Sequence, residues 1–397
     1  MNIAFVTPKM IIGGAEQYII VKTDWLKKNG HNSIVISAGG ENVANLNVPH
    51  YVIKDIDTPV YHLNDKRRKE LYLELTRILK EDEIDIIEAH NTWPIVHIYN
   101  SYKDHRIPFL LNVLSELSYN RNIILQCITC YLAKKQLYFT LTDNMNKYIE
   151  RCCRSKLYAN IIPLPIQKEE IPISDEPYVL SICRMSQEKM YVKALIVGFG
   201  EATIKHKIPD EYKLILVGDG PLKDEVSKIA HETNKRIGRN KIEMRGFVLG
   251  DALYKLYAGC RCYVGMGTTL LTAASYSKPC IRVGFQKDTM QYAWGYWGET
   301  FESKDEIVYT KGTVGNPIKF EKILEQIIND NELNHKIGYN SASIVNSLYG
   351  IEVIMKNWIN SYKLAIEKKK SLNDSTIISL IQKISCLLYP IYRILKK

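Results

Sequence analysis

The sequence predicts an α/β protein made of two doubly wound domains that face one another across a cleft. Its 397 residues correspond to two or three domains of roughly 150 residues each. Short apolar runs, rich in β-branched and aromatic residues, alternate with segments of helical period, as in parallel βαβ units. The stretch 177–220 shows this pattern in full, with a strand, a charged turn, a helix, a second strand and a Gly-Asp-Gly-Pro turn.

The first half of the chain is expected to alternate strands and helices. Apolar runs predict strands at 2–7, 33–38, 52–56, 85–90, 109–115, 138–142 and 160–165, of which 52–56 is the weakest. Helices are expected at 15–29, where Gly30 is the C-cap, and at 65–80, which is charged and amphipathic. The stretch 167–177, with its prolines and glutamates, is typical of an interdomain linker.

The second half repeats the same pattern. Strands are expected at 178–183, 214–217, 242–245, 262–266 and 280–283, and late helical segments near 318–329 and 351–368. We therefore divide the chain into a first domain at 1–166, a linker at 167–177, a second domain at 178–349, a helix at 350–370 that crosses back to the first domain, and a basic amphipathic tail at 371–397.

Composition points to a soluble globular enzyme, with 46% apolar and 24% charged residues. The net charge of +10 is spread along the chain without an arginine-rich arm, so we expect no nucleic-acid partner. Nine cysteines are an odd number, and the chain opens directly on a strand; both features favour a reducing cytosol. The cysteines do not form the two matched pairs of a structural zinc site, so we interpret them as free thiols and predict no metal site.

Several residues that suit a diphosphate follow predicted strands of the second domain, at the edge where parallel sheets bind ligands. Arg184 and Lys189 follow one strand, and a turn at 218–221 follows the next. Residues 266–269 open a helix that Thr268 is expected to cap, and its free N–H groups would favour a phosphate. The alternative is that Arg184 and Lys189 are surface cations on a solvated turn and bind no ligand.

Two features of the first domain are candidates for ligand contact. Gly13 and Gly14 lie between the first strand and a helix, where the backbone can approach an anion closely; the alternative is a tight turn that requires positive φ. The third glycine of a dinucleotide fingerprint is absent. His90 ends a predicted strand, and the alternative for it is a structural histidine with satisfied hydrogen bonds.

Six short motifs, in this order and spacing, resemble the retaining GT-B glycosyltransferases of the family 4 type (glycosyl transferases group 1). They are Gly-Gly-Ala-Glu at 13–16, Ala-His-Asn at 89–91, Arg-Met-Ser-Gln-Glu-Lys at 184–189, Gly-Asp-Gly-Pro at 218–221, Arg-Gly-Phe-Val at 245–248 and Lys-Pro at 278–279. The resemblance covers nearly the whole chain. It implies two Rossmann-like domains and transfer of a sugar from a nucleotide diphosphate sugar with retention of configuration.

The resemblance also implies roles for individual residues. Arg184 and Lys189 would stabilise the leaving diphosphate, and His90 would contact the donor sugar. The loop of Gly13 and Gly14 would lie over the diphosphate and the sugar. The other implied donor-binding residues are Gly218, Gly246, Phe247, Gly267, Thr268, Thr269 and Thr272. The nucleotide sugar is a co-substrate, and no cofactor or metal is required because the two cations supply the charge.

One departure from the family pattern concerns a pair of glutamates, eight positions apart, that binds the donor. Counting back from Lys278-Pro279 places these positions on Val264 and Thr272, neither of which is acidic. Cys183 also replaces a usual glycine. Two readings stay open: an active subfamily whose sugar is held by backbone amides of 265–268, or a degenerate GT-B chain that binds a nucleotide or scaffolds an active partner.

The tail is expected to form an amphipathic helix on an anionic membrane surface. Its apolar stripe comprises Ile377, Ile381, Ile384, Leu388, Ile391 and Leu395, and its cations are Lys383, Arg393, Lys396 and Lys397. The alternative is a helix docked on the protein itself.

From these features we expect a cytoplasmic hexosyltransferase, peripheral on the inner face of the membrane. Its acceptor would be lipid-linked or a polysaccharide, as in the biosynthesis of a capsule or another cell-surface glycan. A binding or scaffold protein of the same fold is the main alternative, and a nucleotide-sugar epimerase a third.

Overall fold

The computed structural model describes residues 1–11, 13–90, 92–114, 119, 122–284, 292–299, 317–372, 378, 381 and 384. The chain divides into two compact units: unit 1 comprises Met1–Pro165 and Glu352–Lys397, and unit 2 comprises Ile166–Ile351. Each unit contains a sheet that is wholly or mainly parallel, with helices in its crossover connections. The predicted α/β class with two doubly wound sheets is confirmed.

Unit 1 contains a seven-stranded sheet in the order β3-β2-β1-β4-β5-β6-β7, and every pairing in it is parallel. Its strands are β1 Asn2–Val6, β2 Asn32–Ser37, β3 His50–Val52, β4 Ile86–His90, β5 Phe109–Val113, β6 Tyr138–Thr140 and β7 Asn160–Ile161. The central strands β4 and β5 are buried along their whole length, including their polar residues Glu88, His90 and Asn112. The strand order reverses between β1 and β4.

Six helices accompany this sheet in the described part of unit 1. They are α1 Gly14–Lys28, α2 Asp65–Glu81, α3 Trp93–His105, α4 Ile123–Lys134, α5 Asp143–Cys153 and, from the end of the chain, α12 Ile351–Glu367. Helix α12 buries one face at helical spacing, with Ile354, Met355, Trp358, Tyr362 and Ala365. The Trp358 ring packs against Phe139 of β6, so α12 is part of the core of unit 1.

Unit 2 contains a six-stranded sheet in the order β10-β9-β8-β11-β12-β14 and a two-stranded β13-β15 ribbon. Its strands are β8 Glu176–Ile182, β9 Lys213–Val217, β10 Ile242–Met244, β11 Cys260–Gly265, β12 Cys280–Arg282, β13 Tyr292–Ala293, β14 Tyr296–Trp297 and β15 Ile318–Lys319. Only β14 pairs antiparallel within the larger sheet as described. The described helices are α6 Tyr191–Ile204, α7 Lys223–Ile237, α8 Asp251–Gly259, α9 Thr268–Ser275, α10 Phe320–Asn329 and α11 Asn331–Leu348.

The structure differs from the sequence prediction in the extent of two strands and in one helix that was not predicted. The strand expected at 52–56 ends at Val52, and Lys54–Asp57 form a 3₁₀ turn that buries only Ile56. The strand expected at 160–165 has two residues, because prolines at 163 and 165 cannot donate to a ladder. Helix α11 was missed because its many Asn and Ser residues have low helix propensity.

The predicted tail lies mostly outside the described residues. Of its apolar stripe, Ile381 is half-buried and Ile384 is exposed, and the neighbouring Ile378 is buried. Among the described helices, none is long and apolar enough to cross a bilayer.

Candidate functional site

The sheet of unit 2 reverses its strand order between β8 and β11. These strands pair in parallel, with Tyr263 opposite Leu180, so Ile182 and Gly265 lie side by side at their carboxyl ends. The Tyr263 hydroxyl also donates to the Ile182 carbonyl at 3.1 Å. Open α/β sheets bind ligands just beyond such a reversal, and most of the predicted donor-binding residues of unit 2 follow the strands that end here.

Arg184 and Lys189 lie in the segment that leaves β8. Arg184 is exposed, and Lys189 is half-buried at the end of the 3₁₀ turn Gln187–Lys189. Backbone hydrogen bonds hold this segment against the next loop: Cys183 N–H donates to the Val217 carbonyl at 3.0 Å, and Met185 N–H donates to the Asp219 carbonyl at 2.9 Å. The backbone that carries the two cations is therefore fixed at the carboxyl end of the sheet.

Gly218 and Gly220 allow the loop after β9 to lie close to the segment that follows β8. Gly218 has φ +129°, and a Cβ there would lie 1.9 Å from the Cys183 carbonyl oxygen. Gly220 has φ +155°, and a Cβ there would lie 2.5 Å from the Met185 carbonyl oxygen. Both glycines are thus required by loop packing, independently of any ligand.

The loop after β10 carries Gly246 and Phe247. The Gly246 carbonyl accepts a hydrogen bond from Gly218 N–H at 2.7 Å, which ties this loop to the previous one. The Phe247 side chain is 74% exposed. An apolar ring that is left in solvent beside these loops is a suitable surface for stacking a nucleobase.

Helix α9 begins beyond β11 with Gly267 as its N-cap, at φ +69° and without a side-chain cap. The expectation that Thr268 caps this helix is wrong, because Thr268 is its first helical residue and is exposed. The Thr269 hydroxyl donates to the Met266 carbonyl at 3.1 Å. An N-terminus without a side-chain acceptor offers its N–H groups and its dipole to an anion.

Val264 and Thr272 are the two residues at which the sequence analysis expects the glutamate pair. Val264 is fully buried in the core of unit 2. Thr272 is half-buried, and its hydroxyl donates to the Thr268 carbonyl at 3.0 Å within α9. Neither side chain supplies the negative charge of a carboxylate.

In unit 1, Gly13 is the N-cap of α1 in an extended conformation, and Gly14 is its first residue. A Cβ on Gly13 would lie 2.6 Å from Oε2 of Glu16, so this carboxylate folds back over the helix N-terminus. Burial raises the pKa of Glu16, and a hydrogen bond from its own backbone N–H opposes that rise. The N-terminus of α1 therefore already carries a carboxylate.

His90 is the last residue of β4, beside the strand-order reversal of unit 1, and it is completely buried. Its Nε2 lies 2.8 Å from Oε1 of Glu88. Its Nδ1 has no hydrogen-bond partner among the residues that the structure describes. Whether His90 contacts a sugar stays a prediction.

Glu88 lies at the centre of a buried polar network that the sequence analysis missed. Its Oε2 accepts from Lys22 Nζ of α1 at 2.6 Å and from the Tyr362 hydroxyl of α12, and its Oε1 accepts from Asn112 Nδ2 of β5 at 2.8 Å. The side chains of Lys22 and Glu88 are both fully buried. Lys22 Nζ also lies 3.5 Å from the centroid of the Trp358 ring, a cation–π contact.

Both members of the Lys22–Glu88 pair are charged at neutral pH. Burial alone would raise the pKa of Glu88, but the Lys22 ammonium and the hydrogen bonds lower it to about 2. Burial lowers the pKa of Lys22 to about 8, and the Glu88 carboxylate limits that fall. The sequence offers one signal, because Glu88 lies in a predicted buried strand and a buried charge needs a partner, but it does not identify that partner.

The structure thus brings the predicted residues together in two sets, one in each unit. Arg184, Lys189, Gly218, Gly246, Phe247 and Gly267 follow the carboxyl ends of strands of unit 2, and Thr268, Thr269 and Thr272 lie in α9, which begins at the same edge. Gly13, Gly14 and His90 belong to unit 1. No cluster of three or more His, Cys, Asp or Glu side chains suited to a metal occurs within the described ranges.

Two doubly wound sheets with these loops define the GT-B fold, and comparison with solved structures shows the same fold. A glycosyltransferase from Rickettsia africae is 15% identical with a TM-score of 0.68, and the match covers 92% of this chain and 98% of that one. Anabaena HepE, solved in complex with UDP and glucose, is 17% identical with a TM-score of 0.64, over 91% of this chain and 99% of that one.

Sequence comparison finds similarity to glycosyltransferases. Residues 12–113 match the Glycosyltransferase Family 4 domain. An uncharacterized glycosyltransferase of Methanocaldococcus jannaschii is 24% identical over 417 aligned residues, which cover 92% of this chain and 99% of that protein.

Proposed function

We propose that this protein transfers a hexose from a nucleotide diphosphate sugar to a lipid-linked or polysaccharide acceptor, with retention of configuration. The fold and the family 4 match support sugar transfer. A nucleotide sugar is favoured as donor because Anabaena HepE, which shares the fold, was solved with UDP and with UDP-glucose. The lipopolysaccharide outer core galactosyltransferase WaaB, also of this fold at 16% identity and a TM-score of 0.58, favours a cell-surface glycan as product.

One observation carries the proposal: Arg184 and the N-terminus of α9, which has no side-chain cap, follow neighbouring strands at the reversal of the unit 2 sheet. A cation and a set of backbone donors at one sheet edge suit a diphosphate. The loop after β9 is hydrogen-bonded to the segment that carries Arg184, and the loop after β10 is hydrogen-bonded in turn to the loop after β9.

The chemistry requires stabilisation of a leaving diphosphate. When the glycosidic bond breaks, negative charge grows on the phosphate oxygens, and fixed donors stabilise the transition state more than the ground state. Arg184 would donate two parallel N–H bonds, and Lys189 would add a point charge. We propose that these cations make a metal ion unnecessary and that the leaving phosphate itself assists the incoming hydroxyl.

A second candidate is a GT-B protein that binds a nucleotide and scaffolds an active partner without transferring a sugar. It is favoured by the buried side chain of Val264 and by the hydroxyl of Thr272, which is hydrogen-bonded within its own helix. Without a carboxylate at either position, donor affinity would fall by about 1–2 kcal/mol relative to a chain that has one.

Release of nucleoside diphosphate from a panel of nucleotide sugars tests the proposal. We expect the full chain, in the presence of a chelator and a membrane-lipid acceptor extract, to turn over at least one donor. Arg184→Ala should reduce kcat/KM by about 10-fold to 100-fold, from one lost charge-assisted contact. Arg239→Ala is the matched control, because Arg239 pairs with Asp210 on the exposed surface of the same unit.

The two candidates give different results in this assay. Binding of a nucleotide without turnover of any sugar, with acceptor present, would favour the scaffold. Equal turnover by Arg184→Ala and Arg239→Ala would contradict the assigned role of the diphosphate site.

We also propose that the protein acts at the cytoplasmic face of the membrane, held there by its basic tail. The support is the charge of this segment, which has four cations and no acidic residue after position 374. The acceptor class fits this location, because lipid-linked glycans are assembled at membranes.

A further inference from the structure

The buried network of Lys22, Glu88 and Tyr362 has no place in the reaction as proposed, yet it ends at a candidate site residue. Glu88 contacts His90 directly, and three separate elements supply its other partners: α1, β5 and α12. Four partners on two oxygens leave the carboxylate little freedom to rotate. A buried charge held this firmly fixes the orientation of each group that donates to it.

The charge on Glu88 determines which nitrogen of His90 carries a proton. An ionised carboxylate only accepts hydrogen bonds, so the Nε2 that lies 2.8 Å from Oε1 must carry hydrogen. Burial lowers the pKa of His90, although Glu88 opposes this effect, so the ring is neutral at neutral pH. Its Nδ1 is then an unprotonated acceptor, buried and without a partner within the described part of the chain.

An acceptor left unpaired in a buried position is unfavourable unless a ligand supplies the donor. His90 ends β4 at the strand-order reversal of unit 1, where ligands of such sheets bind. The proposed reaction brings sugar hydroxyl groups, which are hydrogen-bond donors, to the protein.

We propose that Glu88, held ionised by Lys22 and oriented by Tyr362, is a positioning residue that fixes His90 as the Nε2–H tautomer so that Nδ1 accepts a hydrogen bond from a sugar hydroxyl. The inference rests on the proposed function for its ligand and on the geometry of unit 1 for its tautomer. Glu88 does not touch the substrate; it acts through His90. The pair Lys22 and Glu88 is thus part of the substrate-recognition apparatus and not only of the core.

The tautomer is measured on the full chain labelled with ¹⁵N-histidine, by long-range ¹H–¹⁵N correlation spectra without ligand. The signals of His90 are assigned by their absence in His90→Gln. We expect one neutral Nε2–H tautomer at pH 7 to pH 8, in the unaltered protein and in the control Arg239→Ala, which alters a surface ion pair of unit 2. Lys22→Met combined with Glu88→Leu should give a mixture of tautomers.

A protonated ring or an Nδ1–H tautomer in the unaltered protein would overturn the proposal, even if the double variant failed to fold. An unchanged tautomer in a folded double variant would overturn it as well, because Glu88 would then not determine the protonation of His90.

The ligand is tested with UDP-glucose, UDP-N-acetylglucosamine and GDP-mannose as probes, each beside its nucleoside diphosphate. We expect a bound nucleotide sugar to shift the His90 Nδ1 signal and the nucleoside diphosphate alone to leave it unchanged. A nucleotide sugar that binds to the protein without moving this signal would overturn the inference and leave the proposed function intact. If none of these nucleotide sugars or nucleoside diphosphates binds at the Arg184 site, the proposed function is contradicted. The ligand-free spectrum still decides which tautomer His90 adopts.

Discussion

At the level of single residues, the charge of Glu88 links the stability of unit 1 to pH. The folded pKa of Glu88 is about 2, against an ordinary value of 4.5. Between these values the unfolded chain binds more protons than the folded one, so stability falls as the pH is lowered through this window. The stabilisation present above pH 4.5 and lost near pH 2 is on the order of 3 kcal/mol.

Urea unfolding followed by circular dichroism from pH 6 to pH 2.5 measures this loss. The control is Lys22→Met combined with Glu88→Gln, which keeps hydrogen-bonding groups but lacks the titrating pair. We expect the unaltered protein to lose stability more steeply than the control as the pH falls below 4.5. Parallel curves for both proteins would contradict an ionised, paired Glu88.

Gly218 provides a second prediction at the scale of the residue. Gly218→Ala places a Cβ 1.9 Å from the Cys183 carbonyl oxygen at a positive φ. We expect unit 2 to lose at least about 2 kcal/mol, because the strain and the contact add. Gly238→Ala is the matched control: its φ is also positive, but no atom lies within 4 Å of the added Cβ, so its cost should stay near 1 kcal/mol. Thermal unfolding of both variants makes the comparison, and equal losses would show that the loop contact is unimportant.

At the level of secondary-structure elements, α12 is predicted to be a structural part of unit 1. Trp358→Ala removes a fully buried ring that packs on Phe139 and lies over the Lys22 ammonium. We expect a loss of about 3–5 kcal/mol, as for other buried aromatic truncations. Hydrogen exchange of β4 and β6 peptides measures it, with the exposed Asn360→Ala as control. Unchanged protection in Trp358→Ala would mean that α12 does not support this sheet.

The elements themselves show what sequence patterns can and cannot predict. Strands such as β1 and β9, which are almost completely buried, were predicted because short apolar runs mark them. Helix α11 was missed because its stability comes from packing, with Ile337 and Val345 buried, and not from intrinsic propensity.

The candidate site also contains some features that the sequence predicts and others that it does not. Arg184 and the start of α9 could be predicted from strand endings, since the topology of parallel sheets places their ligands there. The network around Glu88 could not, because Lys22, Glu88 and Tyr362 are far apart in sequence and only the fold brings them together. Residue types alone also did not reveal that Gly218 and Gly220 are required by loop packing.

At the level of the whole molecule, the basic tail is predicted to bind the protein to anionic membranes. Replacing Lys383, Arg393, Lys396 and Lys397 by Gln removes four cations, each worth about 1 kcal/mol near an anionic surface. We expect sedimentation with phosphatidylglycerol vesicles to fall sharply, whereas phosphatidylcholine vesicles bind neither protein. Substitution is preferable to deletion from residue 371, because Leu372 and Ile378 are buried. Failure of the unaltered chain to sediment with the anionic vesicles would contradict a membrane role for the tail.

The central claim is that unit 2 holds a nucleoside diphosphate through the cations that follow β8. Isothermal titration of the full chain with UDP, GDP, ADP and dTDP tests it most directly. We predict micromolar binding of at least one nucleotide, weakened about 10-fold to 100-fold by Arg184→Ala and left unchanged by Arg239→Ala. Binding of none of the four, or equal affinity of the two variants, would contradict the claim.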